Sequence, residues 1–282
     1  MAVRDWLDEL RAGAAASPKI AAVLELIAEQ PRLASYASAA ELAVKAQVNT
    51  ATVVRAAQSL GFEGWLALRA EVRTRYLASL TAPEISAEHA SLAGGPAASS
   101  LRQDAANLAF LLRDPEPGGV EGVAGAIAAA DRTAVVAAGS YAGLGVTLAH
   151  LASVMGFPVT MEARDGSALA NALGMLGPSG CLVAISFWRI HTETLLAARA
   201  ARSRGATVCA LTDTASSPLT DLATHTITVP SEGASWFPSL TAGMAAINAV
   251  LTTLSRQGGQ KAERSVAEVE RLWRELNLHH RA

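Results

Sequence analysis

The sequence predicts two architectures in tandem: an α-helical domain containing a helix-turn-helix, then an α/β domain on a doubly wound, five-stranded parallel sheet. Three observations predict it. Residues 17–80 carry apolar side chains at three- and four-residue spacing with Gly and Pro between the runs, the pattern of short packed helices. Beyond residue 130, short β-branched runs alternate with amphipathic stretches, which implies right-handed βαβ crossovers. Between the halves, TAPEISAEHASLAGGP, ending at Pro96, loses periodicity and collects Pro, Gly, Ser and Ala, as a connector does. The expected division is 1–80 for the helical domain, 81–98 for the linker and 99–282 for the α/β domain.

The 282 residues leave room for two cores, and a composition of 51% apolar and 17% charged residues with few aromatics fits an α/β protein. A formal charge of −2 gives no global basic field, so nucleic-acid binding has to come from a local patch. Cys181 and Cys209 lie inside apolar runs, CLVAIS and TVCALT, without the spacing of a zinc site or a redox pair, and read as reduced core residues. In MAVRDWLDELRAG, Asp5, Asp8 and Glu9 stand where an export signal needs an unbroken apolar segment, so a cytoplasmic location is expected. Residues 133–161 and 166–188 contain no Asp, Glu, Lys or Arg. Ser140, His150, Pro158 and Pro178 interrupt them, so strand, turn and buried helix are expected there and no membrane span. No cofactor or metal is expected.

The strand candidates are Thr133–Ala138, Val159–Met161, Cys181–Ser186, Thr207–Thr212 and Thr226–Val229. A helix at Ser99–Arg113 and a Pro/Gly break, DPEPGG, precede them. Two helices close the chain, Leu240–Arg256 and Lys261–Leu276. In the second, Val266, Val269, Trp273 and Leu276 form an apolar stripe suited to packing on the domain or on a partner subunit.

In SAAELAVKAQVNTATVVRAAQSLGF, Ser38 with Glu41 three residues on is a capping box that opens a helix to about Ala46. After Gln47-Val48, Asn49 is a preferred N-cap, and a second helix runs to Leu60 before Gly61. Two short helices joined by a tight turn make a helix-turn-helix. In the second helix Val53, Ala56, Ala57 and Leu60 are expected inward, leaving Thr50, Ala51, Thr52, Arg55 and Gln58 outward. With Asn49, these residues are the candidate contacts to double-stranded operator DNA in a major groove. Arg69, Arg73 and Arg75 on the next helix are candidates for the phosphate backbone. A helical hairpin with a merely solvated polar face has the same pattern.

ELAVKAQVNTATVVRAAQSLGFEGWLALR resembles the N-terminal domain of RpiR-type bacterial transcription regulators. In these a similar helix-turn-helix ends in Leu-Gly-Phe-x-Gly-aromatic, here Leu60-Gly61-Phe62-Glu63-Gly64-Trp65. The C-terminal half is similar to a sugar isomerase (SIS) domain, a flavodoxin-like fold, so the resemblance covers most of the chain. Gln47 stands where the family usually has a turn glycine, Val54 where Ser is frequent, and Gln58-Ser59 where basic residues are common.

Ligands of doubly wound sheets bind at the carboxyl ends of the strands. Gly139-Ser140, followed by Tyr141, lies between the first strand and a helix N-terminus, a favourable place for an anion, though such a turn also serves structure alone. The third strand ends at Ser186 and the next helix opens near Thr192. The resemblance implies that phosphosugars bind a Ser-x-Ser-Gly-x-Thr loop here. Ser186 matches its first Ser, while Trp188 replaces the second Ser, Arg189 the Gly and His191 the Thr. Trp188 fills space that small residues leave for phosphate, and Arg189 can restore anion affinity by a bidentate grip. Phe187 and Trp188 packing a subunit interface beside an Arg189 ion pair is the alternative. Thr212-Asp213 and Glu232 lie at the same sheet end, Glu232 either accepting sugar hydroxyls or capping the helix that follows.

Three functions fit these residues. The first is a transcription regulator, a repressor by expectation, sensing a phosphosugar or a related anionic or polyol metabolite and working as a homodimer or dimer of dimers. The second is a sugar-phosphate isomerase with Glu232 and His191 as acid and base. The third is a metabolite-binding scaffold whose helical domain binds protein.

Overall fold

The computed structural model describes residues 3–11, 17–89, 95–113, 119–162 and 166–278. The chain forms two compact units, residues 1–93 with 235–237 and residues 94–234 with 238–282.

Seven helices build the described part of the first unit: α1 (Val3–Arg11), α2 (Pro18–Glu29), α3 (Pro31–Tyr36), α4 (Ala39–Lys45), α5 (Thr50–Ser59), α6 (Trp65–Ser79) and α7 (Ala82–His89). Their starts follow local chemistry. Pro18 and Pro31 occupy first-turn positions, where a missing N–H costs nothing, and Ser38 and Asn49 cap α4 and α5. Trp6, Leu7, Leu24, Ile27, Leu42, Val53, Leu68 and Leu77 make the centre of the core. Helix α1 is absent from the sequence reading, although Val3, Trp6 and Leu7 repeat at the helical spacing that buries all three.

The connector expected at 81–98 is corrected in part by α7. Thr81 and Glu84 stand at capping-box spacing, and the Glu84 carboxylate accepts from both the Thr81 N–H and its hydroxyl at 2.7 Å. A capped helix therefore occupies 82–89, residues 90–94 lie outside the described residues, and α8 (Pro96–Leu111) opens on the proline that closes the expected linker.

The second unit continues with α9 (Val120–Ala129), β1 (Arg132–Ala137), α10 (Ala142–Val154), β2 (Val159–Met161), α11 (Gly166–Gly174), β3 (Gly180–Ile185), α12 (Thr192–Ser203), β4 (Thr207–Thr212), β5 (His225–Thr228) and α13 (Thr241–Glu275). Most of the expected Pro/Gly break, residues 114–118, lies outside the described residues. The five strands are all parallel in the order β2-β1-β3-β4-β5, with Val135 beside Val183 and Val183 beside Cys209. Every predicted strand is present within one residue of its expected start.

Strand alternation separates two cores. Val135, Val183, Ile185, Cys209 and Leu211 pack with Ile127, Leu144, Leu148 and Val250 of α9, α10 and α13. Ala134, Val136, Leu182, Ala184, Val208 and Ala210 pack with Leu173, Ala197, Ala198 and Ala201 of α11 and α12. Cys181 and Cys209 are both fully buried on the first face with sulfurs 3.9 Å apart, and that contact together with burial pushes the Cys209 thiol far up, which keeps it protonated and inert. The two closing helices expected from the sequence are both present as the two halves of α13, which meet at a kink at Gly259, whose φ of 47° and ψ of −133° are non-helical and accessible to glycine. Among the described residues no helix is long and apolar enough to cross a membrane.

Candidate functional site

In the first unit, α4 and α5 form the expected helix-turn-helix. The Ser38 hydroxyl accepts from the Glu41 N–H at 3.2 Å, and the Glu41 carboxylate accepts from the Ser38 N–H at 2.7 Å, which also holds that carboxyl below its ordinary range. Four residues, Ala46 to Asn49, separate the helices. Gln47, where the resemblance expects glycine, takes a φ of 54°, so a side chain is held in the left-handed region. At the other end of α5, Gly61 takes a φ of 87°.

On α5, Val53, Ala56 and Ala57 are buried as expected, and Thr50, Ala51, Arg55 and Gln58 are exposed. Thr52 is a correction: it is 2% exposed. The reason is the cap. Asn49 accepts from both the N–H and the hydroxyl of Thr52 at 2.8 Å, and the Thr52 oxygen accepts from Arg55 Nη2 at 3.3 Å. Asn49 and Thr52 therefore hold the helix start, and Thr50, Arg55 and Gln58 form the outward face.

The three arginines of α6 are engaged inside the unit. Arg75, 9% exposed, donates to the buried Glu71 carboxylate at 2.8 and 3.0 Å and lies 4.3 Å from the Trp6 ring centre, which corrects its expected reach to phosphate. Arg73 covers the Tyr36 ring at 4.4 Å, and Arg69 donates to the Ala37 carbonyl at 3.2 Å. An open groove of about 1000 Å³ lies elsewhere in this unit, lined by α2, α3, α4 and Glu88.

In the second unit the carboxyl ends of β1, β3, β4 and β5 gather the candidate ligand residues. Ser140 is exposed in a single 3₁₀ turn, Gly139–Tyr141, between β1 and α10. Tyr141 turns inward, 8% exposed, and its hydroxyl donates to the Phe187 carbonyl at 2.9 Å. Burial, and then the Asp213 charge, push the Tyr141 phenol up to about 12 against the opposing pull of Arg189.

The segment after β3 is a tight turn. Trp188 has a φ of 56°, and the Arg189 N–H donates back to the Phe187 carbonyl at 2.6 Å, a γ-turn with its central residue in the strained region. Its surroundings over-determine this conformation. The Trp188 N–H meets both Asp213 carboxylate oxygens at 3.0 Å, and the Ser231 hydroxyl donates to the same carboxylate. Ser186, fully buried, donates to the Arg189 carbonyl at 3.3 Å and accepts from the His191 N–H at 3.4 Å. Phe187 belongs to the chain's own core, edge-on to Tyr141 at 5.2 Å. Trp188 is half-buried, whereas Arg189, His191 and Thr192 are exposed. His191 sits at the N-cap of α12 without a side-chain cap and 5.9 Å from the Tyr141 ring.

Glu232 is half-buried in the loop after β5, and its carbonyl accepts from Asn107 at 2.8 Å. Because α13 begins at Thr241, Glu232 does not cap it, which corrects that alternative. The buried Thr194 and Thr212 hydroxyls lack hydrogen-bond partners. Thr194 begins the α12 stripe continued by Ala197, Ala198 and Ala201, and Thr212 follows Val208 and Ala210 on the sheet face that this stripe covers. Sequence reasoning placed Asp213 at this end of the sheet but not among the site residues. Its position directly after β4 was the available signal. Among the described residues no three His, Cys, Asp or Glu side chains come together as a metal site.

Comparison with known proteins matches residues 15–79 to the helix-turn-helix domain of the rpiR family and residues 126–255 to the SIS domain. The sugar isomerase domain of an RpiR transcription factor from Sphaerobacter thermophilus is similar at 29% identity and a TM-score of 0.58, over 62% of this chain and 97% of that one. The Vibrio vulnificus NanR protein, solved in complex with ManNAc-6P, shares the fold at 20% identity and a TM-score of 0.55, over 97% of this chain and 98% of that one. No curated protein matches the chain in sequence.

Proposed function

The chain belongs to the RpiR-type transcription regulators, a helix-turn-helix domain of that family followed by a SIS domain, and from that premise we propose how it acts. It binds double-stranded operator DNA as a homodimer or dimer of dimers and represses until its SIS domain takes up a small metabolite. The observation that carries this reading is the capped α4–α5 pair, which leaves Thr50, Arg55 and Gln58 outward on the second helix of a helix-turn-helix. Helix-turn-helix proteins read two half-sites as dimers, so a twofold assembly is part of the proposal.

The effector site is the strand-end cluster of Ser140, Arg189, His191, Thr192 and Glu232. Its ligand class is a sugar-type metabolite: a phosphosugar, as the NanR complex shows for that protein, or a related anionic or polyol compound. Coupling to DNA requires that the ligand bind two conformations of the chain with different affinity. In this reading the site binds its metabolite without turning it over, and Ser186, Tyr141 and Asp213 hold the turn that frames it.

The deciding experiment is a gel shift of the chain's own upstream DNA at low salt, with and without candidate sugars and sugar phosphates. Specific retention that a metabolite relieves supports the proposal. Failure to retain that DNA under either condition refutes it. Steady turnover of a phosphosugar that vanishes in Glu232→Gln establishes an isomerase instead.

A further inference from the structure

We propose that Asp104 and Asn107 make α8 the element through which the loop after β5 sets operator affinity. The inference rests on the reading of the strand-end cluster as the effector site, and names how that site is connected to the DNA-binding unit. Glu232, a member of the cluster, lies in the loop between β5 and α13. At the base of this loop the Ser231 hydroxyl donates to the Asp213 carboxylate, and the Ser239 N–H donates to the Ser231 carbonyl at 2.8 Å. Helix α8 supplies further bonds. Asn107, 3% exposed, donates to the Glu232 carbonyl at 2.8 Å and accepts from Gln103 at 3.1 Å. One turn earlier on the same helix face, the Asp104 carboxylate accepts from the Ser239 hydroxyl at 2.5 Å and from the Thr241 hydroxyl at 2.9 Å, where α13 begins.

Apolar burial contributes little to α8. Its two buried residues, Ser99 and Asn107, are both polar, Leu108, Phe110 and Leu111 are half-buried, and Leu101 and Leu112 are 71% and 81% exposed. A helix fastened largely by hydrogen bonds belongs to the low-stability end of a fold, because such bonds are exchanged for water or ligand at small net cost. In the chain, α8 opens at Pro96, just after the first unit ends at residue 93, and residues 235–237 of the loop group with that first unit. A shift of the loop against α8 therefore moves the tether of the DNA-binding unit. A metabolite that bonds Glu232 in one position of the loop and not in the other shifts α8 between a fastened and a released state. In a chain that represses until its metabolite arrives, the fastened state is the operator-binding one. Asp104 and Asn107 act through the loop and are positioning residues.

The test needs no identified metabolite. It measures amide hydrogen exchange and affinity for the chain's own upstream DNA, both on the full chain. Asn107→Ala and Asp104→Ala should each speed exchange along α8 while the amides of the five strands keep theirs, and each should lower operator affinity about fivefold or more. Asp104→Asn, whose amide can accept from one hydroxyl and donate to the other, should keep both readouts at their wild-type values. Ser231→Ala loosens the loop at its base, and its loss of operator affinity should disappear on the Asn107→Ala background, because both changes act through one connection. If Asn107→Ala does not fold, Thr241→Val removes an α8 bond from an exposed position and takes its place in both comparisons. Unchanged α8 exchange in the folded variant, faster exchange with unchanged operator affinity, or fully additive losses in the double variant each overturn the proposal. A wild-type chain that retains no operator refutes the regulator reading itself, a result distinct from an α8 that loosens without altering retention.

Discussion

The Tyr141 hydroxyl donates to the Phe187 carbonyl at 2.9 Å and thereby ties the turn after β1 to the strained turn after β3. Tyr141→Phe removes that bond but keeps the ring packed, and should cost about 1 kcal/mol of stability. The pH dependence follows from the phenol's position near 12. An unfolded tyrosine ionises near 10, about two units lower. Its folded-state pKa is raised, so its stabilising contribution is intact below pH 10 and is lost as the pH rises towards 12. Urea titrations across that window should show the wild type weakening. Tyr141→Phe should weaken less, with a residue of the effect left by Tyr76, which is also pushed up to about 12.

Gln47 holds a φ of 54° in the turn between α4 and α5. Gly at this position removes the clash that a Cβ suffers in the left-handed region, and gives back part of the gain through the entropy of the unfolded chain. Gln47→Gly should therefore stabilise the protein by roughly 0.5–1 kcal/mol in chemical denaturation. Operator affinity should remain unchanged. A destabilised Gln47→Gly would show that the Gln47 side chain contributes more than its backbone costs.

Arg55 and Arg75 separate DNA contact from folding. Arg55 is exposed on the outward face of α5 and makes one long bond to Thr52, so Arg55→Ala should shift the unfolding midpoint little and lower operator affinity about tenfold or more, the 1–3 kcal/mol typical of one base contact. Arg75→Ala strips the buried Glu71 carboxylate of its guanidinium and uncovers the Trp6 ring, so it should cost about 3–5 kcal/mol of stability. Paired gel shifts and melts check both. An Arg75→Ala chain that melts normally but fails to bind DNA reverses the assignment.

The strands, the Ser38–Glu41 capping box and the helix-turn-helix were legible because each is a short-range pattern: alternation, a hydroxyl three residues before a carboxylate, a glycine at a stop. Val159–Met161 and Thr207–Thr212 are recovered to the residue. What escaped depends on distance in the chain. The bond between Asp213 and the Trp188 N–H spans 25 residues, and nothing near Trp188 announces it. Likewise Arg75 reads from sequence as a candidate for the phosphate backbone, and only the fold shows it paired with Glu71 under Trp6 of α1. Thr52 misled for a local reason, since its hydroxyl suits a base edge and a capping residue equally well.

The internal use of the α6 arginines also sets the salt dependence of DNA binding. Lys45 on α4 and Arg55 on α5 are the exposed cations of the helix-turn-helix pair, and a cation in the major groove displaces counterions as one on a phosphate does, while Arg69, Arg73 and Arg75 are held by Ala37, Tyr36 and Glu71. Each neutralised phosphate contributes about −0.9 to the slope of log affinity against log salt. Two domains of the proposed dimer with two contacts each therefore give a slope of about −4. Filter binding of the operator between low and moderate salt measures it. A slope of about −8 or steeper would require the α6 arginines to leave their internal partners and reach the backbone. In that event Arg69→Ala and Arg73→Ala should each make the slope shallower by about two, one contact being lost from each domain of the dimer.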